Sequence, residues 1–373
     1  MAKVAKIGVK EGGLGEAMRD FLRSLVDKKI VEACLVPQKV PSRDSVVQAL
    51  LIDSAQLATA DPLAPVVPVN SAKIVSDMTK VTPSKTPIAV VLRPCELRAL
   101  VELVKLKQAS LDNLLLIGLD CFGTYSVVDY KERCSSGGIS SEEFLKSALR
   151  SPNGLRPLCE TCEHFSPENA DLAIGLFGLD LQTEFLIIAQ TEKGEETFGR
   201  LGLKGDEDPK GREKAISDLR SERTKKVEEM FQAMQHEIGG LEKILATLAS
   251  CIGCHNCMRV CPICYCRECF FESPTLEVDY GRYITWARRK GSVRMPTDTL
   301  LFHLGRMNHM ATSCVECGMC EQACPSDIPV GRMFKLVGAG VQKIFEYVPG
   351  RNLEEELPLT TFKEDELQAV GEE

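Results

Sequence analysis

The segment Cys251-Ile252-Gly253-Cys254-His255-Asn256-Cys257-Met258-Arg259-Val260-Cys261-Pro262 recurs in outline as Cys314-Val315-Glu316-Cys317-Gly318-Met319-Cys320-Glu321-Gln322-Ala323-Cys324-Pro325. Both read Cys-x2-Cys-x2-Cys-x3-Cys-Pro, the spacing of bacterial two-cluster ferredoxins. A cubane takes four thiolates at tetrahedral corners, and two-residue gaps let three near neighbours reach three irons. The fourth cysteine of each run serves the other cluster. The spacing therefore predicts one [4Fe–4S] cluster on Cys251, Cys254, Cys257 and Cys324, and a second on Cys314, Cys317, Cys320 and Cys261. Zinc sites also use Cys-x2-Cys pairs, but zinc gives no reason for the triple run closed by proline to appear twice. An electron-carrying protein follows from the motif alone.

Working outward, 52 residues separate Cys261 from Cys314, far more than a compact ferredoxin needs. Tyr280 to Lys290 and Asp298 to Met310 read as helices within this insert, so the domain is expected to be mostly helical. His303 and His309 stand at no ligand-like offset and read as solvated or core residues. Cys264, Cys266 and Cys269 follow the first motif directly. Alternative ligands, a labile metal site and sheltering buried thiols are all compatible with them.

The 373-residue chain carries 17 cysteines and a formal charge of −8. That charge argues against a nucleic-acid surface, which needs a clustered basic face. No apolar run reaches the 18 or more residues of a membrane span, and Met1 to Lys10 lacks a signal-peptide core. A cytoplasmic protein is expected, where thiols stay reduced and metal is a better account of the cysteines than disulfides.

Six cysteines fall before residue 206 and eleven between 251 and 324. The expected organisation is an α/β domain over 1–206, a helical linker over 207–250, a two-cluster ferredoxin-type domain over 251–350 and an acidic tail over 351–373. In the first part, Gly12-Gly13 opens an amphipathic run from Leu14 to Val26, and Glu96 to Lys107 returns to helical period. Val31 to Val36, Ile88 to Leu92, Leu114 to Leu119, Ala173 to Gly178 and Glu184 to Ala189 read as strands, and the alternation predicts a largely parallel sheet. Residues 211–249 lack proline and carry apolar residues at near-helical spacing, the pattern of a long helix or helical hairpin.

Further landmarks in the first part are Arg93-Pro94-Cys95-Glu96-Leu97-Arg98-Ala99-Leu100, Ile117-Gly118-Leu119-Asp120-Cys121-Phe122 and Cys159-x2-Cys162. Asn169-Ala170-Asp171-Leu172-Ala173-Ile174-Gly175 and Thr191-Glu192-Lys193-Gly194-Glu195-Glu196 follow. In this order, ahead of the two-cluster domain, they make the chain resemble the β-subunit family of coenzyme F420-reducing hydrogenases and F420-dependent formate dehydrogenases. The formate dehydrogenase type is the nearer likeness.

That resemblance implies FAD in the N-terminal domain beside a third [4Fe–4S] cluster, for which Cys95, Cys121, Cys159 and Cys162 are candidate ligands. Cys95 and Cys121 each follow a predicted strand, at the edge where open α/β sheets bind ligands. Buried thiols plus a zinc loop are the plainer alternative. Cys134 rivals Cys121, and Cys34 reads as core. No Gly-x-Gly-x-x-Gly fingerprint follows the first strand. The flavin-contact candidates are Gly12 and Gly13, which read equally as a phosphate seat at a helix start and as an ordinary turn, Arg93, and Lys193 with Gly194, for which a plain hairpin turn is the preferred reading over a phosphate contact.

The implied reaction carries a hydride from reduced F420, or another carrier, to FAD, and then single electrons through the clusters. The implied partner is the catalytic large subunit of a formate dehydrogenase or hydrogenase, or a heterodisulfide reductase-type complex. No molybdopterin or nickel motif is present, so formate or hydrogen is not expected to react on this chain alone. A flavin-free relay between proteins, and a scaffold sensing oxidation through Cys264, Cys266 and Cys269, are the competing classes.

Overall fold

A computed structural model describes residues 3–40, 45–150, 154–205, 211–294 and 296–360. Seven strands form one sheet: β1 (Val4–Gly8), β2 (Ala33–Val40), β3 (Ser45–Leu51), β4 (Ile88–Leu92), β5 (Leu114–Leu119), β6 (Leu172–Gly175) and β7 (Glu184–Ala189). Their spatial order is β1-β7-β6-β5-β4-β2-β3. Strands β2, β4, β5 and β6 run parallel. The β2–β3, β6–β7 and β1–β7 pairs are antiparallel. The sheet is therefore mixed, which corrects the expectation of a largely parallel one. The two strands missed in the sequence, β1 and β3, are the edges. An edge strand buries only part of its surface, so Lys6 and Gln48 interrupt the apolar signal.

The centre was legible for the opposite reason. Every residue of β4 and β5 is buried, so both strands read as unbroken apolar runs. Around the sheet lie α1 (Gly13–Asp27), α2 (Ser71–Thr79), α3 (Pro94–Lys105), α4 (Val127–Ser135), α5 (Ser141–Arg150), the single turn α6 (Pro157–Glu160) and α7 (Glu192–Leu201). Helix α3 starts where Pro94 fixes φ. Glu96 Oε2 accepts from the Arg93 N–H at 2.9 Å and Oε1 from the Ser71 N–H at 2.8 Å, so one buried carboxylate anchors the starts of α2 and α3.

The proline-free stretch forms α8 (Gly211–Ile238) and, after Gly239-Gly240, α9 (Leu241–Thr247). The remaining helices are α10 (Asn256–Arg259), α11 (Tyr280–Lys290), α12 (Thr299–Met310), α13 (Met319–Gln322) and α14 (Val330–Ile344). Helices α10 and α13 are single turns, each carrying the third cysteine of a motif.

One apolar core fills the sheet face under α1 and includes Cys34, whose thiol burial pushes up to about 12. The other core joins the opposite face, through Leu35, Val90, Leu100 and Leu116, to Met234 of α8, Phe302, Met310 and Phe334. The cysteine-rich part thus shares one core with α2, α3 and this face of the sheet. Pro349-Gly350 returns to α3, where Glu102 Oε1 accepts from the Gly350 N–H at 2.8 Å and Arg98 Nε donates to Pro349 O at 2.8 Å. The expected tail over 351–373 lies mostly outside the described residues. No helix among the described residues is long and apolar enough to cross a membrane.

Candidate metal centre

The C-terminal cysteines gather in two groups, each assembled across the motifs. Cys257 interacts electrostatically with Cys251, Cys324 and Cys254. Cys320 interacts with Cys261, Cys317 and Cys314. The one-turn helices explain the crossing. In each motif the first three cysteines wrap one loop, and the turn then carries the fourth away from it towards the other loop.

The Cys314 and Cys317 residues are half-buried, and burial followed by the neighbouring Cys261 raises their thiols to about 12 and about 11. Around Cys251 the loop is open, and Ile252 is 64% exposed. Thiols held so far from ionisation become thiolates only when a cation compensates them, which is how metal uptake couples to the proton. Among the described residues no three His, Cys, Asp or Glu side chains converge on one point that a single metal ion could occupy.

A third group lies at the C-terminal edge of the sheet. Cys95 in the first turn of α3, Cys121 just past β5, Cys159 in α6 and Cys162 beyond it line one cavity. Cys159 lies in the single helical turn α6, and Cys162 follows it. Two buried arginines point at these sulfurs. Arg93 Nη1 donates to Cys121 Sγ at 3.3 Å, and Arg156 Nη2 to Cys159 Sγ at 3.5 Å. Burial alone would raise the Cys159 thiol, but the Arg156 guanidinium and Thr124 outweigh it and hold Cys159 below its ordinary value. Burial raises both Cys95 and Cys162. Cys134, on α4, does not line this cavity.

Cys317, of the second C-terminal group, does line it. Glu316 and Lys335 frame the junction at 2.9 Å from each other, and Lys335 Nζ donates to Thr161 O at 2.6 Å. The second and third groups therefore share a wall. Arg223 of α8 closes the far side, donating to Cys162 O at 2.9 Å and lying over the Phe165 ring at 4.8 Å. Sequence reading missed Arg156, Arg223 and Thr124, because each acts through a contact far along the chain and none belongs to a spaced motif.

The flavin-contact candidates do not come together. Arg93 lies at the third cysteine group, and its second nitrogen caps Ala64 O. Gly12 and Gly13 sit at the start of α1, on the far side of the sheet. There the Gly15 N–H donates to Glu142 Oε1 at 3.1 Å, so a carboxylate already holds the place an anion would take. Lys193 and Gly194 lie at the opposite edge from Cys95, in the first turn of α7 rather than in a hairpin. Lys193 Nζ caps Leu114 O at the start of β5, and Gly194 packs on the Asp171 carbonyl with no room for a Cβ. Gly194→Ala should therefore lower stability by about 1–3 kcal/mol, the cost of overpacking. Iron content should stay unchanged, and a denaturation midpoint read beside an iron assay checks both.

Residues 86–206 match the family model for the C terminus of the coenzyme F420 hydrogenase/dehydrogenase beta subunit. Residues 247–328 match the "4Fe-4S dicluster domain". An F420-dependent formate dehydrogenase subunit beta of Methanocaldococcus jannaschii is 29% identical over 372 residues, covering 90% of this chain and 92% of that protein. The F420-dependent formate dehydrogenase 1 subunit beta of Methanococcus maripaludis is 30% identical over 379 residues, covering 92% of each. The chain belongs to this β-subunit family. As a family member it is an iron–sulfur oxidoreductase subunit, as its motifs and landmarks led us to expect, and the residues matched as a dicluster domain hold both C-terminal cysteine groups. Among solved structures, a chain of the F420-reducing [NiFe] hydrogenase complex from Methanosarcina barkeri aligns with this chain at TM-score 0.46 and 13% identity. The alignment covers 65% of this chain and 94% of that one.

Proposed function

We propose that this chain is the electron-transferring β subunit of an F420-dependent formate dehydrogenase-type enzyme. In this reading residues 1–206 hold FAD and a [4Fe–4S] cluster on Cys95, Cys121, Cys159 and Cys162. Residues 207–250 link them to two clusters over 251–350. The catalytic partner is the large subunit of a formate dehydrogenase, with a hydrogenase or heterodisulfide reductase-type subunit as its alternates. The observation that carries the reading is the shared wall: Cys317 faces the cavity of the N-terminal cysteines, so the three groups form one continuous series.

Bound flavin and clusters would supply the exchange between two-electron hydride chemistry and one-electron transfer. The chain's own part is binding, charge and exclusion of water. Arg93 and Arg156, both buried, balance the N-terminal thiolates. Beside them runs an apolar groove along the ends of β4 and β5, lined by Pro37, Val46, Val66, Val91 and Leu92 and ending on Arg93. It suits a flat ring held against a cation. At the other end of the series the exposed loop around Ile252 leaves the Cys251 group as the exit towards the partner.

Cys159→Ala should remove about one cluster's iron and leave the ferredoxin-type EPR signals in place. Unchanged iron would dismiss the N-terminal cluster. For the whole reading, the test is an anaerobic spectrum of the iron- and FAD-reconstituted chain during separate additions of reduced F420 and NADH. Rapid bleaching by F420 is expected. The flavin-free relay remains as a second reading because Glu142 occupies the helix start expected to seat a phosphate. Failure to bind FAD while dithionite still reduces the clusters would establish that relay instead.

A further inference from the structure

Arg306 stands on α12, inside the insert that separates the two cysteine motifs, and is 3% exposed. Its guanidinium lies over the rings of Phe302 and Phe334, at 5.6 Å and 4.9 Å from their centroids. Nη2 donates to Cys257 O at 3.0 Å. Nε and Nη1 are buried and have no hydrogen-bond partner. The charges that bear on it most are thiols: Cys257 of the first C-terminal group, then Cys261 and Cys320 of the second, then Cys264.

A guanidinium in an apolar shell is costly unless an anion compensates it, and each buried donor left unmade adds to that cost. An arginine remains charged at any accessible pH, so the cost is not relieved by losing the proton. Neutral thiols around Arg306 would leave it unbalanced. Thiolate-ligated clusters, which carry net negative charge, would balance it. The placement therefore rests on the reading of these cysteines as cluster ligands.

We propose that Arg306 sets the reduction potential of both ferredoxin-type clusters, as a positioning residue that supplies one fixed charge and two free donors between them. Reduction adds one electron to a cluster, with no bond made or broken and no proton moved. The added negative charge interacts favourably with the nearby guanidinium, so the reduced state is stabilised and the potential rises. The insert, which a two-cluster ferredoxin does not need for ligation, thereby gains a role: it delivers a cation to the space between the clusters.

EPR-monitored potentiometric titration of the full, anaerobically reconstituted chain tests this, with iron content measured alongside. Arg306→Met should shift the one-electron equilibrium of both clusters at least tenfold towards the oxidised state, a fall of 59 mV. Arg306→Lys, which keeps the charge and loses the planar fork, should shift it less than Arg306→Met but still measurably. Wild-type midpoints in an iron-replete Arg306→Met overturn the proposal. Should Arg306→Met shed a cluster, Arg306→Lys decides, and wild-type midpoints there overturn it equally. A wild-type chain that takes up no ferredoxin-type iron overturns the ligand reading and this proposal together.

Discussion

Replacing Cys261 by serine should deplete the cluster on Cys314, Cys317 and Cys320 and spare the one on Cys251, Cys254 and Cys257. The residue sits only four positions beyond Cys257, so sequence proximity would assign the damage the other way. Its electrostatic partners assign it to the second group: Cys314, Cys317 and Cys320 all interact with Cys261. The expected readouts are loss of about one cluster's iron and of one of the two ferredoxin-type EPR signals. Cys264 is close enough to complicate this, since its N–H donates to Cys261 O at 3.3 Å. Burial raises its thiol to about 11, so it is a poor thiolate until iron is near. The Cys261→Ser/Cys264→Ser double variant should lose more iron than Cys261→Ser if the neighbour substitutes. Loss of the Cys251 group's signal instead would sink the crossed assignment.

The second large effect concerns stability. Asp120 is buried, with its side chain fully enclosed. Oδ2 accepts from the N–H groups of Leu176 and Phe177 at 2.7 and 3.1 Å, and Oδ1 accepts from Ser166 Oγ at 2.9 Å. Arg212, at the start of α8, completes the set, its Nη2 donating to Oδ1 at 3.0 Å. Asp120→Ala would strand a buried guanidinium and two backbone donors. Breaking such a pair from one side costs about 3–5 kcal/mol. Arg212→Met should cost clearly less, because the carboxylate keeps three other donors. Urea midpoints of the two variants check the asymmetry, and equal losses would mean that the ion pair alone, not the carboxylate's backbone contacts, does the anchoring. Asp120 also precedes Cys121, so Asp120→Ala is expected to weaken iron binding at the N-terminal cysteines.

These two predictions draw on different sources of information. The cysteine quartets of the C-terminal part were legible because ligand spacing is a local constraint: a cubane dictates how many residues separate its thiolates, whatever surrounds it. Central strands β4 and β5 were legible because burial on both faces demands unbroken apolar runs. Helix α11 was found at its observed limits, Tyr280 to Lys290, and α12 to within one residue, with Gly291 marking the end of the first and Pro296 lying just ahead of the second. Edge strands β1 and β3 were not found, since half-exposed strands mix lysine and glutamine into a weak alternation. Lys193-Gly194 was misread because a glycine in a first helical turn and one in a hairpin look alike locally. Only the Asp171 carbonyl packed against it tells them apart.

By itself, the sequence determined the two ferredoxin-type motifs, the α/β character of the first half and the family to which the chain belongs. Each of these is written in spacing or periodicity, which a linear string carries. The tertiary structure decided the rest. It chose Cys121 over Cys134 for the N-terminal cavity, set Cys317 in that cavity's wall, and brought Arg93, Arg156 and Arg306 to buried sulfur. It also joined the cysteine-rich part to the sheet domain through one core that includes α2 and α3. Those are contacts between residues tens to hundreds of positions apart. No local propensity encodes them, because each depends on which apolar faces the folded chain buries against one another.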